Sequence, residues 1–165
     1  SGDSPGDATG SGSSDEESTD AGEDSTLDPT DVIAEVSYPM ATTRDLSGTI
    51  TMGVHALTVE GSTMLLELYF TAETDDPSQS WNLFRAHGSP IVVTLSDPVN
   101  LKQYTGLENG EDNWRSSAAS ALTEPVPSGA TVAWWGYFAA PQDDIDSIDV
   151  TLNGGPSVLT IPIER

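Results

Sequence analysis

From Asp31 onward, apolar and polar residues alternate in short runs separated by Gly, Pro and Asn, the period-two signature of half-buried β-strands. Val32, Ala34 and Val36 alternate with Ile33, Glu35 and Ser37 up to Pro39, as suits an edge strand. Ile50, Met52 and Val54 alternate with Thr49, Thr51 and Gly53, after which the apolar phase passes to Leu57 and Val59. A slip of that kind predicts a β-bulge near His55 or Ala56. Glu60-Gly61 then reads as a turn into Met64, Leu66, Leu68 and Phe70, so a long hairpin is expected over roughly 48 to 72.

Beyond the polar loop from Glu73 to Ser80, Ile91, Val93 and Leu95 form a strand that Asp97-Pro98 stops. Val132, Trp134, Gly136 and Phe138 alternate with Thr131, Ala133, Trp135 and Tyr137 up to Pro141. Ile148, Val150 and Leu152 lead through Asn153-Gly154-Gly155 into Val158, Thr160 and Ile161, a second hairpin. The stretch from Glu108 to Ser120 is ambiguous, because Ala118, Ala119 and Ala121 also suit a helical turn. No run of ten or more residues keeps a 3.6-residue period. The expected fold is therefore all-β: an antiparallel, immunoglobulin-like β-sandwich of seven to eight strands over residues 31–165, held by apolar packing because the chain has no cysteine.

Composition changes this picture at the N-terminus. Residues 1–30 hold seven Ser, five Gly, four Thr and nine Asp or Glu, with Leu27 the one large apolar side chain and no Lys or Arg. So little apolar surface cannot offset an ordering cost of about 1 to 2 kcal/mol per residue, and a disordered acidic tail is expected. Its make-up resembles the spacer behind the lipidated cysteine of mature bacterial lipoproteins, which implies an extracytoplasmic, surface-displayed protein. Membrane association is then expected only through an N-terminal lipid anchor.

Charge narrows the partners. There are 27 acids against 5 bases, a net charge of -22. From Val32 onward the chain still has seventeen acids, five bases and a single lysine, Lys102. Phosphate backbones need a basic footprint that five scattered cations cannot supply, so nucleic acid is not an expected partner. No window nears the roughly 20 apolar residues of a transmembrane helix.

Over Val126 to Ile163 a family pattern is recognisable. Pro127-Ser128-Gly129 opens a strand ending in Tyr137-Phe138-Ala139-Ala140-Pro141. An acidic loop follows, then Ser147-Ile148-Asp149-Val150, a Gly-rich turn and Ile161-Pro162-Ile163. This resembles the closing hairpin of an immunoglobulin-like, telokin-like domain of actinobacterial cell-envelope lipoproteins and secreted antigens. The upstream part is similar in order: a strand pair, an aromatic loop around Trp81 to Phe84, then Val93-Thr94-Leu95-Ser96-Asp97 and Tyr104. The resemblance implies a non-catalytic module with a structural, adhesion or partner-recognition role.

Three sets of residues carry candidate chemistry. Trp135 and Tyr137 should leave the same strand on the face opposite Trp134 and Phe138, where two rings side by side suit a sugar or a protein partner. The alternative is that the segment from 108 to 120, with Trp114, covers them. Asp143, Asp144 and Asp146 form the densest acidic loop, joined by Asp149, and Glu73, Asp75 and Asp76 form a second. Loop carboxylates are the material of calcium sites, although the spacing is not that of an EF-hand. His55 and His87 lie 32 positions apart and carry no zinc-ligand spacing. The Gly-x-Ser-x-Gly match at Gly2 to Gly6 lies in the acidic N-terminal segment, outside any strand or helix pattern, and is no nucleophile elbow; no phosphate loop or His-Glu-x-x-His occurs. A hydrolase is therefore the remote alternative, and a carbohydrate- or calcium-binding module the nearer one.

Overall fold

A computed structural model of the protein describes residues 28–41, 43, 45–109, 112–113 and 123–165. Residues 1–27 of the expected spacer, Trp114 and the alanines at 118, 119 and 121 lie outside the described residues. In chain order the elements are β1 (Ala34–Pro39), β2 (Gly48–Glu60), β3 (Thr63–Thr74), β4 (Ser80–Trp81), α1 (Leu83–His87), β5 (Val93–Asp97), β6 (Lys102–Thr105), β7 (Glu108–Asn109), β8 (Asp112–Asn113), β9 (Val126–Pro127), β10 (Thr131–Ala139), β11 (Ser147–Leu152) and β12 (Ser157–Pro162). Two four-stranded antiparallel sheets dominate, ordered β1-β2-β3-β10 and β12-β11-β5-β6. They make the all-β sandwich that period-two alternation predicts. The pairs β4-β9 and β7-β8 are two-stranded additions.

The sheets bury the residues that share a strand face. Ile50, Met52, Val54, Leu57, Met64, Leu66, Leu68 and Phe70 from β2 and β3 are fully buried, as are Leu95, Ile148 and Val150 from the second sheet. A leucine-sized side chain taken wholly out of water contributes about 1.5 to 3 kcal/mol, so this shared layer is the main source of stability. Trp134 and Phe138 face into the same layer from β10. Trp134 fits because residue 136, next on that face, is glycine: a Cβ there would lie 2.6 Å from the indole.

The phase slip in β2 is a bulge. Val54 pairs with Leu68 and Ala56 with Glu67, so His55 has no opposite number on β3. The extra residue returns Leu57 to the core and leaves Val59 packed against it. A second irregularity lies between β11 and β12, where the Ile148/Ile161 and Val150/Val158 pairs leave Leu159 and Thr160 of β12 opposite Asp149 alone. Thr160 has φ 59°, and its amide is held at 2.8 Å by the Asp149 carboxylate. Bulged edge strands resist further strand pairing.

The sandwich is also stitched at its edges. β1 pairs with β2 only as far as Val54, and the C-terminal segment takes up the next stretch: Glu164 donates to the Leu57 carbonyl at 2.9 Å and accepts from Val59 at 2.8 Å. On the other side the Leu107 amide reaches the Tyr137 carbonyl of β10 at 2.8 Å. Trp81, fully buried, donates its indole N–H to the Pro127 carbonyl at 2.9 Å. The helix after it is too short to show a period, yet its ends are marked in sequence. Asn82 accepts the Arg85 amide at 2.8 Å as N-cap, and Gly88 closes the helix at φ 82°.

Asp97 anchors the β5-β6 hairpin. It is buried, and its carboxylate accepts the amides of Val99 at 2.9 Å and Asn100 at 3.1 Å and the Asn100 side chain at 2.7 Å. Burial works against its ionisation, but hydrogen bonds from Asn100 and Val99 and the Lys102 charge outweigh that and hold the carboxyl below its ordinary range. Asp28 and Asp76 are lowered by the same device, through Thr30 and Ser78.

Gly136→Ala should destabilise the fold by about 1 to 3 kcal/mol, the range for overpacking a filled core, and shift the Trp134 emission. Urea unfolding followed by fluorescence checks this, and an unchanged midpoint refutes it. A depressed folded pKa stabilises above the unfolded value of about 3.9 and ceases to do so as pH falls through the folded value. The urea midpoint of the wild type should therefore drop between neutral pH and about pH 3, and Asp97→Asn should show a smaller drop. Parallel pH profiles for the two proteins would remove Asp97 from this role.

Candidate functional site

The outer face of the first sheet is where the sequence, the bulge and the N-terminal segment converge. Because Met64, Leu66, Leu68 and Phe70 of β3 point inward, Leu65, Glu67, Tyr69, Thr71 and Glu73 point out. On β10 the same rule places Thr131, Ala133, Trp135 and Tyr137 outward, with Trp135 opposite Glu67 and Ala133 opposite Tyr69. The expected separation of Trp135 and Tyr137 from Trp134 and Phe138 is what the strand displays. Their rings meet edge to face with centroids 5.7 Å apart, and both are half-buried. Trp114 lies outside the described residues, so the expected cover over the pair is not described here.

The bulge supplies the next ring. His55 stacks on Tyr69 with centroids 4.7 Å apart and planes 15° from parallel. Its Nδ1–H donates to the Asp31 carbonyl at 2.6 Å, and the Asp31 carboxylate lies 3.5 Å away. That bond pins a short strap. Residues 28–33 cross the outer face before entering β1: Val32 occupies the space that Gly53 leaves, where a Cβ would come within 2.5 Å of it. The strap starts with a turn in which the Asp28 carboxylate accepts the amide and hydroxyl of Thr30 at 2.9 and 2.6 Å.

Strap and sheet enclose a shallow depression of about 200 Å³ lined by Pro29, Thr30, Glu35, Thr51, Gly53, Tyr69, Thr71 and Glu73. Burial first, then the charges of Asp31, Glu67 and Asp28, push the Tyr69 phenol above its ordinary pKa, so it remains a neutral hydroxyl at physiological pH. Ladder pairs tie some of the threonines: Thr51 to Ser37 at 2.8 Å and Thr71 to Thr131 at 2.7 Å.

The acidic loop is organised differently. Asp143 pairs with Lys102, and Asp144 lies 4.0 Å from Arg165, whose guanidinium also donates to the Ile145 carbonyl at 2.8 Å. Asp146 accepts the Ile163 amide through its backbone carbonyl, and Asp149 holds Thr160. The hydrogen bond from Lys102 to Asp143, more than any other influence, raises the lysine pKa. In the second acidic set, Asp75 accepts from Ser47 at 2.7 Å and Asp76 from Ser78, while Glu73 belongs to the depression. His87 is remote from His55. Its Nε2–H donates to the Asn153 carbonyl at 2.8 Å, which leaves Nδ1 to accept the Tyr38 hydroxyl at 3.3 Å. Among the described residues no three His, Asp or Glu side chains converge as a metal site.

Sequence reasoning named Trp135, Tyr137 and Glu73 but missed Tyr69, the strap and the depression. One signal was present: Gly53 interrupts an otherwise well-patterned strand, and a strand glycine often marks close approach by another segment.

No protein-family model matches this chain, and no curated protein does. A solved structure of a "putative lipoprotein" from Staphylococcus aureus aligns with 68% of this chain and 81% of its own length, at 12% identity and a TM-score of 0.37. At that score the likeness carries no functional inference. No helix among the described residues is long and apolar enough to cross a membrane.

With Lys102 and Arg165 already beside Asp143 and Asp144, added calcium has to displace two cations to gain ligands. Calcium at millimolar concentration should leave the melting midpoint within about 1 °C of that in chelator. A ligand bound only by the native state must raise it, so a larger upward shift that Asp143→Asn abolishes would establish a calcium site in this loop.

Proposed function

We propose that the protein is a non-catalytic extracytoplasmic recognition module, displayed at the cell surface on its acidic N-terminal spacer, that engages a partner through the outer face of its first sheet. The observation that carries this reading is the ring surface formed by Trp135, Tyr137, Tyr69 and His55, side by side on three adjacent strands. Large amphipathic rings offer contact area at little entropic cost, and a rigid sheet holds them in place before the partner arrives.

Two further observations support a binding role over chemistry. Both histidines use ring nitrogens as struts to backbone carbonyls, and Asp97, Asp143 and Asp149 serve turns, a lysine and a bulge. The display role is supported by the composition of residues 1–30, rich in Ser, Gly, Thr and acids.

Trp135→Ala should test the face directly. Wild-type protein mixed with isolated cell envelopes, which contain both protein and glycan, should sediment with them, and the variant should stay largely in the supernatant. Equal partitioning of the two proteins would exclude this face as the recognition surface.

A further inference from the structure

Resting on that reading, we propose that the ligand of this face is a short uncharged carbohydrate chain lying across the strands, stacked on Trp135 and Tyr69, with its end unit in the depression beneath Pro29. The pairing register sets the path. Tyr69 is opposite Gly53 on one side and Ala133 on the other, and Trp135 is one diagonal step from it across Glu67. Val32 fills the space over Gly53 and His55 stacks on one face of the half-buried Tyr69 ring, which also lines the depression. From β10 to β2 is two strand spacings, about 10 Å, so the Trp135 and depression ends belong to one short ligand.

The polar groups match carbohydrate chemistry. Among the described residues the carboxylates of Glu35, Glu67 and Glu73 on this face make no hydrogen bond or ion pair, whereas those of Asp28, Asp75, Asp76, Asp97, Asp143 and Asp149 are committed elsewhere. Ionised carboxylates only accept, so they suit a ligand rich in hydroxyl donors. The Tyr69 hydroxyl, kept neutral by burial and the surrounding charge, can donate back. Apolar faces of the sugar rings find Tyr69, Pro29 and Trp135, while their hydroxyls find Glu35, Glu67, Glu73 and Thr30.

Charge and shape exclude the competitors. Uronic or sulfated chains would meet three uncompensated carboxylates plus Asp28 and Asp31, and like charges brought together cost affinity. A protein partner needs about 800 Å² of contact per side, far more than the depression itself offers. A depression of about 200 Å³ falls below the volume that drug-sized ligands occupy and accommodates a single ring.

The full chain should be titrated by calorimetry and tryptophan fluorescence with cellotetraose and N-acetylchitotetraose, and with a sulfated heparin tetrasaccharide. At least one uncharged chain should bind while the sulfated one does not. Trp135→Ala and Tyr69→Ala should each weaken binding about tenfold, the loss of one stacked ring, and Glu73→Gln should weaken it severalfold with the fold intact by circular dichroism. Asp144→Asn, in the distant loop, should bind as wild type. Failure of both uncharged chains to bind overturns the inference; if sedimentation with envelopes still depends on Trp135, the recognition face stands and its partner is of another chemical class. Binding that needs Trp135 but ignores both Tyr69→Ala and Glu73→Gln also overturns it, because the depression is then not part of the site.

Discussion

In a two-sheet sandwich each strand turns one face to the core, and the thirteen residues of β2 meet that constraint only through the bulge between Val54 and Ala56. With an unbroken period of two, Ile50, Met52 and Val54 would be buried and Leu57 and Val59 would face water. The extra residue resets the phase, so both halves of β2 serve the same apolar layer. His55, the unpaired residue of the bulge, lies on the outer face, where it stacks on Tyr69 and holds the Asp31 carbonyl. One local irregularity therefore completes the core and fixes the strap that shapes the candidate binding face.

Without a cysteine, the two sheets have no covalent tie. Their inner faces meet through large apolar side chains, and the edges are joined by main-chain bonds from Glu164 to β2 and from Leu107 to β10. Such bonds satisfy peptide groups that an open edge would leave exposed for pairing with another chain. His87 adds a polar brace, linking the end of α1 to Tyr38 of β1 and to the β11-β12 turn. Burial raises the Tyr38 phenol well above its ordinary pKa, which keeps that brace neutral on the tyrosine side.

The charge of the folded part is unevenly committed. Aspartates at turns accept amides two or three residues on and are lowered for that reason, while Lys102 and Arg165 both face the loop of Asp143 and Asp144. Glutamates 35, 67 and 73 are left on the aromatic face. Among the described residues the carboxylates are therefore of three kinds: structural, compensated, and without a partner, Glu35, Glu67 and Glu73 being those of the last kind on the aromatic face.

Alternation alone was enough to read the all-β class, the long hairpin, the bulge, the closing hairpin and the opposite facing of Trp134 and Trp135, because these depend on residue order along one strand. The helix Leu83–His87 falls where an aromatic loop was expected, because five residues are too few for a period to emerge and the caps Asn82 and Gly88 were not read as such. The binding face was legible only in part. Trp135 and Tyr137 could be placed together because they are two residues apart on one strand, whereas Tyr69 and His55 join them through pairings across β2, β3 and β10. The strap over Gly53 and the pairing of Asp143 with Lys102 bring together residues 21 and 41 positions apart. Local order determined which side each residue faces; only the tertiary structure decided which residues share a surface, since strand register and chain crossing are set by packing the whole core at once.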